Sequence, residues 1–156
     1  MDHFKKFGIN VNHENPNEAI IYCLALIYNR INNEISSYLS QYNLTPAKFN
    51  VLAVIKHQGD PSGISQIEIS KRLIVTPSNM TRLIDKLEKE RLIARKAQQG
   101  DRRVNIIQIT DKGSKLLDSA WPAYMEHMKK LLSGFNRDDQ KMLFNSIKKW
   151  LNSLTK

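Results

Sequence analysis

Residues Ile64–Thr110 read ISQIEISKRLIVTPSNMTRLIDKLEKERLIARKAQQGDRRVNIIQIT, and three signals follow one another along them. Ile67, Ile69 and Leu73, closed by Ile74-Val75, form a short amphipathic segment. Thr76-Pro77 then opens a longer run of helical period. Two short runs rich in branched residues, Leu92–Lys96 and Val104–Ile109, flank Gln98-Gln99-Gly100-Asp101-Arg102-Arg103, where Gly100 and Asp101 supply turn chemistry. Helix, turn, helix and a hairpin with a basic tip is the order of a winged helix-turn-helix.

The second helix carries that reading residue by residue. Thr76 is placed to cap the orphan amides, and Pro77 fits the first helical position, where a missing N–H costs nothing. Val75 and Met80 stand at the positions of a hydrophobic staple. Met80, Leu83, Ile84 and Leu87 recur at helical spacing and define a buried face. Ser78, Asn79, Thr81, Arg82, Asp85, Lys86 and Lys89 fill the rest. Small hydrogen-bonding residues in the first turn followed by cations suit a recognition helix, whose first residues meet base edges while Arg and Lys neutralise phosphates. An ordinary amphipathic helix with a solvated face is the alternative for this segment alone. Arg102 and Arg103 at a hairpin tip tip the balance, because arginine is the residue that enters a narrow minor groove. Asp101 beside them is expected to orient an arginine through a bidentate pair.

Leu87-Glu88, Leu92-Ile93, Arg95, Asp101-Arg102-Arg103 and Ile109-Thr110-Asp111-Lys112-Gly113, with Thr81-Arg82-Leu83 and Leu44-Thr45-Pro46, together resemble the MarR family of transcription regulators over residues 17–154. The family often has Gly where this chain has Ile74 and Arg91, positions where turns and helix ends favour positive φ. The resemblance implies an obligate dimer with interleaved terminal helices. It further implies a pocket between those helices and the winged unit that takes small aromatic acids. By chemistry, Tyr28, Arg30, His57 and Trp121 are the residues to line such a pocket, and Arg30 could equally be a surface ion pair.

The chain has 156 residues, enough for one domain with a real core. Its formal charge of +9 and pI near 9.7 imply an anionic partner, nucleic acid before an anionic membrane surface. Residues 64–105 hold ten Lys/Arg against five Asp/Glu, so more than half of the excess lies in the proposed reading unit. No run of 18 apolar residues and no leader pattern is visible, which argues against a membrane span and against secretion. Cys23 is the one cysteine, so an intramolecular disulfide cannot form and a cytoplasmic location is expected.

Taken in order, residues 1–14 read as an irregular lead-in. Asn15 as cap with Pro16 at the first position starts a long helix to about Tyr42, with Ile20, Cys23, Leu24, Ile27, Ile31, Ile35, Tyr38 and Leu39 on its stripe. Thr45-Pro46 opens a second helix carrying Phe49, Leu52, Ala53 and Ile55, and Gln58–Gly63 is a loop. After Thr110-Asp111 another helix carries Leu116, Leu117, Ala120, Met125, Met128, Leu131 and Leu132, with Pro122 expected to bend it near 118–121. Ser133-Gly134 ends it, and Asn136 caps a last helix lined by Leu143, Phe144, Ile147, Trp150, Leu151 and Leu154. The fold class expected is mainly α with a small β-hairpin wing. A single domain over 1–156 has a winged core at about 45–110 and dimerisation helices at about 16–42 and 111–154. The end helices lack an obvious partner in one compact winged domain, so a two-fold dimer with recognition helices roughly 34 Å apart is the simplest solution.

Little points to catalysis. His3, His13, His57 and His127 fall in no metal spacing, and no phosphate-binding glycine loop or cysteine pair motif exists, so no cofactor or metal is expected. Asp138-Asp139 opens a helix, and Asp60 and Asp111 are turn or cap residues. The family includes peroxide sensors with a reactive cysteine in the first helix. Cys23, however, lies on an apolar stripe with no Lys, Arg or His within one helical turn, and reads as structural. The expected function is a duplex-DNA-binding regulator using Ser78, Asn79, Thr81 and Arg82 in the major groove, Lys86 on phosphate and Arg102 and Arg103 in the minor groove. A winged-helix protein-interaction module and a non-specific nucleic-acid binder are the alternatives.

Overall fold

A computed structural model describes residues 6–7, 16–60, 62–73, 76–98 and 101–154, and the side chains of these except at 77, 97–98 and 101–104. Beyond positions 6 and 7, the lead-in lies outside the described residues, as do Asn15, Ile74, Val75 and with it the staple. Among the described residues, six helices and three strands follow in order: α1 (Asn17–Ser40), α2 (Pro46–Gln58), β1 (Ile64–Ser65), α3 (Gln66–Leu73), α4 (Pro77–Lys89), β2 (Ile93–Gln98), β3 (Asp101–Ile109), α5 (Asp111–Leu131) and α6 (Arg137–Leu154). The fold is mainly helical with a small antiparallel sheet, in the order β1-β3-β2.

Helix α1 starts one residue later than its sequence suggests. Pro16 is the cap position, not the first helical residue, and its carbonyl accepts from the Ile20 amide at 2.9 Å. At its other end Asn43 adopts φ 53°, the Asn43 amide bonds the Ser40 carbonyl and the Leu44 amide reaches the Leu39 carbonyl. These are the paired bonds of a Schellman ending, with Leu39 and Leu44 both buried. Thr45 then caps α2 as expected, its hydroxyl accepting from the Lys48 amide at 3.3 Å.

The contacts divide the chain into two compact units, residues 1–120 and 121–156. The boundary falls beside Pro122, which lies inside α5 and deprives the Asp118 carbonyl of its usual donor. In the first unit, Phe49, Leu52 and Ile55 of α2 are buried with Ile69 of α3, Met80, Ile84 and Leu87 of α4, Ile107 of β3 and Leu117 of α5. Tyr38 ties α1 to this core by donating to the Ala120 carbonyl at 2.9 Å, with the Tyr42 hydroxyl 3.1 Å away. Burial and the Tyr42 hydroxyl beside it push the Tyr38 pKa up to about 12. In the second unit the rings of Trp121 and Tyr124 lie 6.0 Å apart between centres, tilted by 41°, and burial raises the Tyr124 pKa. Asn136 caps α6 by accepting from the Asp138 and Asp139 amides, both at 2.9 Å, while Asp139 accepts back from the Asn136 amide.

The α3 reading needs one correction. Ile67 and Ile69 cannot both face inward, because positions i and i+2 of a helix point about 200° apart. Ile69 is fully buried and Ile67 is 61% exposed. Strand β1 is too short to leave a pattern in the sequence; its Ile64 and Ser65 pair with Ile107 and Ile106.

Candidate nucleic-acid interface

Helix α4 sorts its residues as a surface reading element must. Met80, Ile84 and Leu87 are fully buried, while Ser78, Asn79, Thr81, Arg82 and Lys86 are exposed. Pro77 holds the first helical position, and Thr76 is the cap residue, although its side chain makes no capping bond and only its carbonyl accepts from Met80. Among the described residues Arg82 and Lys86 pair with no carboxylate, whereas Lys48, Lys56, Lys71 and Arg95 each do. Arg82 and Lys86 on the exposed face of α4 are therefore left to meet an outside anion.

Three anchors hold this helix in place, and none has a local spacing that a sequence reading could detect. Arg95 on β2 reaches back to Asp85 and, at 3.1 Å, to Glu88, joining the wing to α4. The buried Lys48 ammonium lies 2.6 Å from both oxygens of Glu90, the C-cap residue of α4. Gln66, first residue of α3, donates to the Thr81 hydroxyl at 2.9 Å.

The end of α4 explains two motifs. Arg91 has φ 59°, the Arg91 amide bonds Glu88, and the Leu92 amide bonds Leu87. This second Schellman ending needs a left-handed residue at the position where Gly is expected, and arginine fills it here. The Thr110 hydroxyl then donates to the Arg91 carbonyl at 2.8 Å and accepts from the Gly113 amide at 3.1 Å. A Cβ at Gly113 would run into the Leu92 carbonyl oxygen. The Thr-x-x-Gly spacing thus fixes α5 against the base of the wing.

The wing itself differs from the expected hairpin. Leu92 belongs to the helix ending, and β2 begins at Ile93. Gln98 pairs with Asp101 and Ala97 with Asn105, so only positions 99–100 lie between the strands, outside the described residues. Arg102 and Arg103 stand on β3, in an irregularity that inserts three residues near the end of the ribbon, and are not turn residues. Their side chains, and that of Asp101 with its expected orienting pair, lie outside the described residues.

The four residues suggested for an effector belong to three helices, α1, α2 and α5. Tyr28 and Arg30 are exposed on α1, where Arg30 pairs with Glu34 at 2.5 Å. His57 is exposed near the end of α2, and Trp121 is half-buried in the other unit. None of them lines the cleft of about 450 Å³ formed by Ile55, Lys56, Asp60, Gln108, Ile109 and Ser114. Cys23 is half-buried on α1.

The succession of α3, α4 and the two-stranded ribbon of β2 and β3 defines a winged helix-turn-helix protein. The chain belongs to the MarR family, whose model matches residues 42–104. It is 29% identical over 126 residues to the HTH-type transcriptional regulator MhqR of Bacillus subtilis, covering 81% of this chain and 85% of that one. It is 31% identical over 109 residues to an uncharacterized HTH-type transcriptional regulator of the same organism, YkoM, covering 70% and 69%. The fold matches the crystal structure of a Staphylococcus aureus MepR–DNA complex with a TM-score of 0.80 at 23% identity, over 85% of this chain and 96% of that one. No described helix is long and apolar enough to cross a membrane.

Proposed function

We propose that this chain is a sequence-specific, duplex-DNA-binding transcription regulator that acts as a homodimer on a pseudo-palindromic operator. The observation that carries the proposal is the exposed face of α4, with Ser78, Asn79, Thr81, Arg82 and Lys86 displayed over a fully buried Met80, Ile84 and Leu87. In this reading Pro77, Ser78, Asn79, Thr81 and Arg82 enter the major groove and Lys86 meets phosphate. Arg102 and Arg103 reach the minor groove from the end of the wing, oriented by Asp101. The family and the DNA-bound relative of the same fold support it.

The winged core spans about 45–110 in a single domain, and the helices at about 16–42 and 111–154 serve dimerisation. Support for this comes from α6, which buries none of its residues and exposes Leu143, Phe144, Ile147, Trp150, Leu151 and Leu154. Repression in the cytoplasm, relieved when a small aromatic or acidic effector changes the spacing of the reading heads, completes the proposal, with Tyr28, Arg30, His57 and Trp121 as effector residues. The family consists of regulators, not enzymes, and the reading requires no catalytic step.

Selection from a random duplex pool, with wild type and Arg103→Ala in parallel, tests this function. An enriched inverted repeat with half-sites about ten base pairs apart, weakened in the variant, is the expected outcome. Salt-sensitive binding without sequence enrichment would identify a non-specific binder, and absence of binding would favour a protein-interaction module.

A further inference from the structure

From the contact between α3 and α4 we infer that Gln66, which lies outside the recognition helix, is a specificity-determining residue that reads adenine in each half-site. The inference rests on the DNA-binding reading of α4. Gln66 is the first residue of α3, half-buried, and its side-chain amide donates to the Thr81 hydroxyl at 2.9 Å. Thr81 stands on the exposed face of α4, one helical turn from Ser78 and next to Arg82. The bond therefore carries the Gln66 amide onto the surface that α4 presents.

The amide chemistry then selects its partner. A glutamine side chain has two N–H donors and a carbonyl oxygen. One N–H is held by Thr81, and among the described residues neither the second N–H nor Oε1 has another partner. A donor and an acceptor side by side on a planar amide match N7 and the N6 amino group of adenine in the major groove. The Thr81 bond also freezes the side chain before DNA arrives, so less rotamer freedom is lost on binding. Anchoring from a second helix gives a contact that α4 alone could not make, and it was invisible in sequence because Gln66 and Thr81 are fifteen residues apart.

Affinity measurements on a selected operator and its single-base-pair variants test this with the full chain, for wild type, Gln66→Ala and Gln66→Arg. Gln66→Ala should lose roughly 5- to 150-fold on the best site, and lose its preference at one A·T pair per half-site and at its symmetry mate. The slope of affinity against salt should stay unchanged, since no phosphate contact is removed. Gln66→Arg should move the preference at that same position from A·T to G·C, because arginine pairs with guanine O6 and N7. A structural role for Gln66 could not produce such a switch. Retention of the wild-type base preference in both variants would overturn the inference while leaving the DNA-binding reading intact. So would a uniform loss across all sequences with a shallower salt slope. A wild type that selects no site at all would overturn both together.

Discussion

Arg91 occupies a conformation that costs an arginine about 1–2 kcal/mol and a glycine almost nothing. Its side chain holds no partner among the described residues, while its carbonyl accepts from Thr110 and its amide closes the helix ending. Arg91→Gly should therefore raise stability by about 0.5–1 kcal/mol, read as a shift in denaturant midpoint at constant slope. A lower midpoint would contradict this account of Arg91 as a strained helix ending. Tyr38 makes a second prediction at this scale. Its pKa is raised from 10.0 to about 12 in the folded chain, so the neutral phenol is the form that the fold favours. That contribution is complete below pH 10 and disappears as pH rises toward 12, when the unfolded chain ionises first. Unfolding followed from pH 8 to pH 12 should show a stability loss above pH 10 that is smaller in Tyr38→Phe. Equal slopes in the two proteins would contradict the assignment. Sequence could flag Arg91 as a departure from glycine, but the sign of its φ needed the backbone. Nothing local in the sequence marks Tyr38 as a partner of Ala120, which lies 82 residues away.

Among elements, α4 is the one whose position the rest of the first unit serves. Lys48 anchors its end from α2, and the pair is asymmetric: the Lys48 side chain is almost wholly covered and that of Glu90 is about a third exposed. Removing the carboxylate leaves a buried cation unpaired, whereas replacing the lysine by an apolar chain leaves a carboxylate that can reach water. Glu90→Ala is expected to cost about 2–3 kcal/mol by chemical denaturation and Lys48→Met clearly less. The reverse order would contradict this account of the pair. Helix α4 was legible in sequence because a Pro start, a 3.6-residue period and a polar face all agree over thirteen residues. Helix α2 was legible for similar reasons, with Thr45 capping it as its sequence suggests. The wing was only half legible. Branched residues located both strands, but register depends on which carbonyls pair, and the irregularity beyond Ala97 moved Arg102 and Arg103 from the turn onto β3. Strand β1, at two residues, has no period to detect, and Ile67 was misassigned because a short helix offers too few turns to fix its inward face.

For the whole molecule, the exposed apolar surfaces bear on the proposed assembly. Helix α6 exposes apolar residues on successive turns, and α1 exposes Ile20, Ile21, Tyr22, Ile27 and Tyr28. Patches of this kind on a chain of 18.0 kDa are a liability unless a second copy covers them. Ile147→Asp with Leu151→Asp should convert a dimer into a monomer in sedimentation and weaken operator binding, since each reading head would then act alone. An unchanged dimer would place its interface elsewhere. Sequence could show that the end helices carry long apolar stripes, at Leu143, Phe144, Ile147, Trp150, Leu151 and Leu154 on α6. In the proposed dimer, which apolar residue meets which is set between chains, and no spacing within one chain encodes it. The central claim is that two α4 helices read one face of a duplex as a rigid pair. Its most direct measurement is affinity for a selected operator with five base pairs inserted between the half-sites, which turns one half-site about half a helical turn away. A fall of at least about 100-fold is the result expected of a two-fold dimer. Unchanged affinity would contradict it, because the two heads would then be binding independently.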